Sequence, residues 1–187
     1  MTTCIWDGKS KVYADTLTSY FHKALTKKIH IISDNTVSIS SGNAGRCTTL
    51  INKLKASFSK YSDVKEALFN LEEMETNDKD FKVILINKLE NEDLSLIEYK
   101  IYVFHNTFKH YYEIDNKAYG IGSGSDYALG ALAAGASPLD AMRIASNLDE
   151  STNDIIDVFD TETWTFEKIH LSKIVFNFKD NIKYILL

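Results

Sequence analysis

Two pairs of helical stretches interrupt a chain that otherwise reads as short strands, and this order limits the fold more than any other feature of the sequence. Residues 2–6 and 11–14 read as strands on either side of Asp7-Gly8-Lys9-Ser10, where Asp-Gly is a strong hairpin signal. Residues 28–32 and 36–40 form a second such pair across Ser33-Asp34-Asn35. From Ala44 the period changes: Leu50, Ile51, Leu54 and Phe58 fall on one helical face, and a second helix over 64–74 turns Ala67, Leu68 and Leu71 inward. Strand-like runs return at 81–86, 97–104, 111–114 and 118–121, separated by clusters rich in Asn and Asp. A small-residue helix over 126–134 follows, and another starts at Pro138 with Ser137 as its N-cap. Residues 155–159, 163–166, 174–178 and 182–187 close the chain as strands. Periodicity alone makes this an α+β protein.

The length of 187 residues suits one domain over 1–187, with no internal repeat and no low-complexity linker. Twenty-six acidic against 21 basic residues, spread without blocks, give a net charge of −5, which argues against a face for the phosphate backbone of nucleic acid. Cys4 and Cys47 are far apart in apolar or helical surroundings and read as free thiols of a reducing compartment, so a cytoplasmic location is expected. No stretch reaches the roughly 18 apolar residues of a membrane span. The five histidines show no helical pair around a glutamate and no Cys-x-x-Cys companion, so neither a metal nor another cofactor is expected.

The chain begins Met1-Thr2-Thr3-Cys4. Removal of Met1 would give Thr2 a free α-amine beside its own hydroxyl, a nucleophile and its base in one residue, because an α-amine with a pKa of about 7.7–8.0 accepts a proton near neutrality. Asp15 follows after a short turn, a Lys27-Lys28 pair opens an apolar strand, Gly42 begins the small-residue loop Ser41-Gly42-Asn43-Ala44-Gly45, and Gly120-Ile121-Gly122-Ser123-Gly124-Ser125 precedes the small-residue helix. In this order the features resemble the proteasome β-subunit and HslV family of N-terminal-nucleophile (Ntn) hydrolases, and within it HslV or a phage-type relative.

That resemblance covers roughly residues 2–159 and implies a four-layer αββα sandwich, two packed sheets with helices on both outer faces. It implies Thr2 as nucleophile, Asp15 and Lys28 as a buried pair beside it, Gly42 as the oxyanion-hole glycine and Ser123 as a supporting hydroxyl. Asp149 and Thr152, in Asp149-Glu150-Ser151-Thr152-Asn153, fall where the family closes its site, with threonine in place of the usual serine and asparagine in place of the usual glycine. Lys27 stands beside Lys28, and only the fourteen positions from Lys28 to Gly42 favour the latter. Ser40 and Arg46 flank the Gly42 loop and are expected to line a pocket for a substrate side chain. A homo-oligomeric ring enclosing the site, peptide or unfolded protein as substrate, and an AAA+ ATPase feeding the chamber are further implications.

Read as residues only, several of these features have plainer roles. Asp15 serves as a turn carboxylate, Gly42 as a strand-to-helix turn, and the Gly120–Gly124 run as a phosphate loop, although it lacks the lysine and hydroxyl that end a P-loop. The expected function is a threonine-type peptidase. The alternatives are an inactive proteasome-like structural subunit and an Ntn amidohydrolase acting on a small amide.

Overall fold

In the computed structural model, which describes residues 2–20, 22–71, 80–89, 97–106 and 110–171, the first hairpin forms as its turn demands. Strands β1 (Cys4–Trp6) and β2 (Lys11–Asp15) pair antiparallel, with Cys4 opposite Ala14. Asp7 Oδ1 accepts from the backbone N–H of Lys9, Ser10 and Lys11, and Gly8 takes a φ of +78°, a conformation that costs a side-chain-bearing residue energy.

The remaining elements are β3 (Leu17–Tyr20), β4 (His22–Leu25), β5 (Ile29–Ser33), β6 (Thr36–Gly42), α1 (Ala44–Phe58), α2 (Val64–Phe69), β7 (Phe81–Leu89), β8 (Glu98–His105), β9 (Tyr111–Ile114), β10 (Tyr119–Ile121), α3 (Ser125–Ala133), α4 (Pro138–Leu148), β11 (Ile155–Asp160) and β12 (Thr165–His170). They form two five-stranded sheets, ordered β10-β1-β2-β11-β12 and β5-β6-β7-β8-β9, with β3 and β4 as a separate two-stranded hairpin. Every pairing is antiparallel.

Side-chain alternation along the strands decides what each face packs against. Cys4, Trp6, Val12 and Ala14 of the first sheet meet Val37, Ile39, Ile84, Ile86, Ile101 and Val103 of the second in one apolar core. The intervening residues point the other way. Val83, Leu85, Tyr102 and Phe104 pack with Leu50, Ile51 and Leu54 of α1 and Leu68 of α2, while Ile5, Tyr13, Ile156 and Val158 pack with Ala128 of α3 and Ala141, Met142 and Ala145 of α4. Because β7 is buried on both faces, its apolar run Val83-Ile84-Leu85-Ile86 is continuous rather than alternating.

The expected four-layer αββα Ntn sandwich is corrected by these proportions. Two five-stranded antiparallel sheets dominate, and the four helices among the described residues are short, at 15, 6, 9 and 11 residues. They lie over β5–β8 on one sheet and over β10, β1, β2 and β11 on the other, and no residue of β9 or β12 is buried. Full helical layers would cover those strands. The helix expected over 64–74 ends at Phe69, capped by Asn70, and residues 72–74 lie outside the described residues. The strands expected over 174–178 and 182–187 lie outside them as well. The strand expected over 163–166 instead runs Thr165–His170. The β3–β4 hairpin was not expected.

Ser137 caps α4 through its side chain, with Pro138 in the first turn, as the sequence indicates. Both cysteines are free and buried. No helix among the described residues is long and apolar enough to cross a membrane.

Candidate functional site

The β1–β2 register places Asp15 directly beside the chain start: the Asp15 N–H donates to the Thr3 carbonyl at 3.0 Å. Lys28 precedes β5 on the facing sheet and is tied to β6 by the bond from Ser40 N to the Lys28 carbonyl, 3.1 Å. Its side chain spans the gap between sheets. Asp15 Oδ1 accepts from Lys28 Nζ at 2.7 Å, from Thr3 N at 2.7 Å and from Thr2 Oγ1, and Oδ2 accepts from Leu17 N at 2.9 Å. Lys28 Nζ also donates to Thr2 Oγ1. Asp15 is 1% and Lys28 6% exposed, so each charge depends on the other to stay out of water. The neighbouring Lys27 is exposed and holds its Nζ over the Phe166 ring, 4.3 Å from the centroid. Geometry thus separates the two lysines: Lys28 reaches Asp15 and Thr2, and Lys27 faces outward.

Thr2 and Lys28 line a cavity of about 630 Å³, large enough for a side chain and part of a peptide backbone. Ser40, Ser41, Gly42, Asn43 and His30 also border it, and α1 contributes Ala44, Gly45, Cys47, Thr48 and Ile51. In that last set Ala44, Cys47, Thr48 and Ile51 follow the i, i+3, i+4, i+7 spacing of one helical stripe, with Gly45 beside it in the first turn. Arg46 lies off the stripe and does not line the cavity, which corrects its expected pocket role. Its backbone N–H is instead taken by the Asn43 side chain, the N-cap of α1. Ser40 lines the cavity.

Gly42 is required by its surroundings. Its φ is +99°, and a Cβ there would lie 1.9 Å from the Asp80 carbonyl oxygen. Burial pushes the Cys47 thiol up to about 11 and the Cys4 thiol up to about 12, so both stay protonated at neutral pH.

Ser123, Asp149 and Thr152 meet, and they do so against Thr3. Ser123 Oγ and Thr152 Oγ1 each donate to Asp149 Oδ2 at 2.6 Å. With its proton committed there, Thr152 accepts from Thr3 Oγ1 at 2.5 Å. Burial works against the Asp149 carboxylate, but the bonds from Ser123, Thr152 and the Ser151 N–H outweigh it and hold its pKa below the ordinary value. Asn153, in the place where a glycine was expected, binds Thr16 in both directions, by Thr16 N to Oδ1 at 3.1 Å and Nδ2 to Thr16 Oγ1 at 3.0 Å. It thereby fixes the backbone that carries Asp15.

The glycine run admits close approach of the chain start. At Gly122 φ is +99° and a Cβ would lie 1.9 Å from the Thr2 carbonyl oxygen; at Gly124 a Cβ would lie 2.1 Å from Thr3 Oγ1. These two glycines, with Thr3 and His30, were not among the expected site residues. The stripe that includes Cys47 was legible in the helical period, whereas the glycine contacts depend on how distant segments meet. Met1 lies outside the described residues. No protein-family model matches this chain, and neither does any curated protein.

Proposed function

We propose that this chain is a threonine-type peptidase whose nucleophile is Thr2 once Met1 has been removed. The observation that carries the reading is the buried set Thr2–Asp15–Lys28 opening onto a cavity bordered by Gly42. The freed α-amine takes the Thr2 Oγ1 proton as the oxygen attacks a peptide carbonyl, and the Lys28 ammonium, already donating to Oγ1, stabilises the oxygen as the proton leaves. The carbonyl bond opens to a tetrahedral oxyanion beside the Gly42 backbone. Its collapse expels the amine, which takes the proton from the α-amine, and leaves an ester on Thr2. Water, deprotonated by the same α-amine, then hydrolyses the ester and regenerates the hydroxyl. Asp15 stays paired with Lys28 throughout.

Intact mass establishes whether Met1 is absent, and the Met1-free protein is then assayed on fluorogenic peptides. Hydrolysis by wild type and none by Thr2→Ala supports the reading. Equal turnover by the two, or none by Met1-free wild type, overturns it. A family-like ring enclosing the cavity belongs to the same proposal, and a lone 21.2 kDa species that still cleaves would favour a small-amide hydrolase.

A further inference from the structure

Two sheets meet at the site, and much of what joins them is apolar. Cys4 and Ala14 pack among Val37, Ile39 and Ile101 in the shared core, and such contacts are non-directional, so they resist separation of the sheets more than the sliding of one past the other. Thr2 precedes β1 in one sheet, whereas Lys28 precedes β5 in the other, and the two side chains must meet. A reaction between positioned groups tolerates little slippage, since a misplacement of about 1 Å costs on the order of a hundredfold in rate.

Cys4 supplies a directional bond across that gap. It is fully buried and stands two residues after Thr2, the interval that returns an extended chain to the same face. Its thiol donates to the Ser40 carbonyl of β6 at 3.6 Å, and the N–H of the same Ser40 donates to the Lys28 carbonyl at 3.1 Å. Ser40 is thus held by the strand that continues from Thr2 while it holds the backbone that carries Lys28. Burial keeps the proton on the Cys4 sulfur at neutral pH, so the donor is present where the site would work.

We infer that Cys4 is a positioning residue for the proposed reaction, fixing Thr2 and Lys28 at one spacing through its bond to Ser40. The inference rests on the peptidase reading above and adds to it a residue that lies behind the reacting groups. The plainer role of a buried cysteine is that of a small hydrophobe. The two roles differ in what a serine restores: serine keeps a donor that alanine lacks, whereas for a mere hydrophobe serine is no better than alanine.

Met1-free wild type, Cys4→Ser and Cys4→Ala are compared on one fluorogenic peptide, with urea midpoints to establish that each is folded under the assay conditions. Cys4→Ala should lower kcat by about three- to tenfold, the range that one net hydrogen bond allows, with KM little changed, and Cys4→Ser should recover most of the loss. In Cys4→Ala the acid limb of kcat against pH, set by the Thr2 α-amine, should also move to higher pH, because an ammonium that has drifted away lowers that pKa less. Wild-type kcat in Cys4→Ala overturns the inference, and so does a serine variant no faster than the alanine one; in both cases the peptidase reading stands. If the alanine variant does not fold, the isosteric pair Cys4→Thr and Cys4→Val, both suited to a strand, takes its place: a threonine variant no faster than the valine one overturns the inference. No hydrolysis by Met1-free wild type overturns the peptidase reading and this inference together.

Discussion

Gly122 makes room for Thr2: a side chain at 122 would begin 1.9 Å from the Thr2 carbonyl oxygen and 2.9 Å from Thr2 Cγ2. Neither atom can yield easily, because Thr2 and Thr3 are pinned on their other side by Asp15. Gly122→Ala should therefore push the chain start out of the Asp15–Lys28 pair. The left-handed φ alone costs an alanine roughly 1–2 kcal/mol. Urea unfolding should show a loss beyond that figure, and peptide turnover should fall with it; a variant with wild-type stability and turnover would refute the steric role.

Removing Lys28 is expected to separate two effects. Lys28→Ala leaves the buried Asp15 carboxylate with only neutral donors, a situation that costs about 3–5 kcal/mol when one member of a buried pair is deleted. Lys27→Ala removes only an exposed contact with Phe166 and should stay within about 0.5 kcal/mol. Denaturant midpoints of the two variants check this, and equal losses would return the choice between the lysines to where the sequence leaves it.

What could be read from sequence divides by the range of the interaction. The Asp7-Gly8 turn, the Ser137-Pro138 helix start and the Leu50-Ile51-Leu54 stripe are local, and the structure has each where the residues indicate. The β3–β4 hairpin was missed because Leu17–Tyr20 and His22–Leu25 contain no Gly, Pro, Asn or Asp to mark a turn. The helices were expected to form complete layers because their number and order suited that fold, and their reach across each sheet is not encoded in periodicity. In the site, Thr2, Asp15 and Lys28 were named through resemblance, and their meeting depends on two sheets packing face to face. The contact between Thr3 and Thr152 joins residues 149 positions apart, and no local pattern announces it. Arg46 was misassigned for a simpler reason: one step from Cys47 along a helix is a rotation of about 100°.

His30 should make stability depend on pH above the range of the carboxylates. Its folded pKa of about 4 lies below the ordinary histidine value of about 6.5, so between these the unfolded chain binds more protons. The contribution is fully present above pH 6.5 and is lost as pH falls towards 4. His30→Gln should flatten that slope. Urea midpoints taken at half-unit steps from pH 7.5 to 4.5 would test it, and parallel curves for variant and wild type would count against a half-buried neutral histidine.

Assembly offers an independent prediction, because β9 and β12 carry no buried residue and Phe69, Leu148 and Tyr127 are among the exposed large side chains. A protein that uses its own copies to enclose the cavity should run well above 21.2 kDa in light scattering at micromolar concentration. A single monomeric mass across that range would remove the ring from the proposal.

Asp149 links the far side of the site to acidity. Its pKa is lowered because three donors, Ser123 Oγ, Thr152 Oγ1 and the Ser151 N–H, outweigh the cost of burial. A carboxylate whose folded pKa is depressed contributes stability above its unfolded value of about 3.9, and that contribution is lost as pH falls through the lower folded value. Asp149→Asn keeps the shape but gives up the charge that Ser123 and Thr152 bind. The variant should therefore be less stable than wild type at pH 7, with the gap closing as pH falls below about 3.9. Because Thr152 also receives Thr3 Oγ1, the same substitution should loosen the chain start and reduce turnover at pH 7. Urea unfolding of both proteins at pH 7 and at pH 3.5 measures the gap; one that stays constant between the two would show that the Asp149 charge does not hold this corner together.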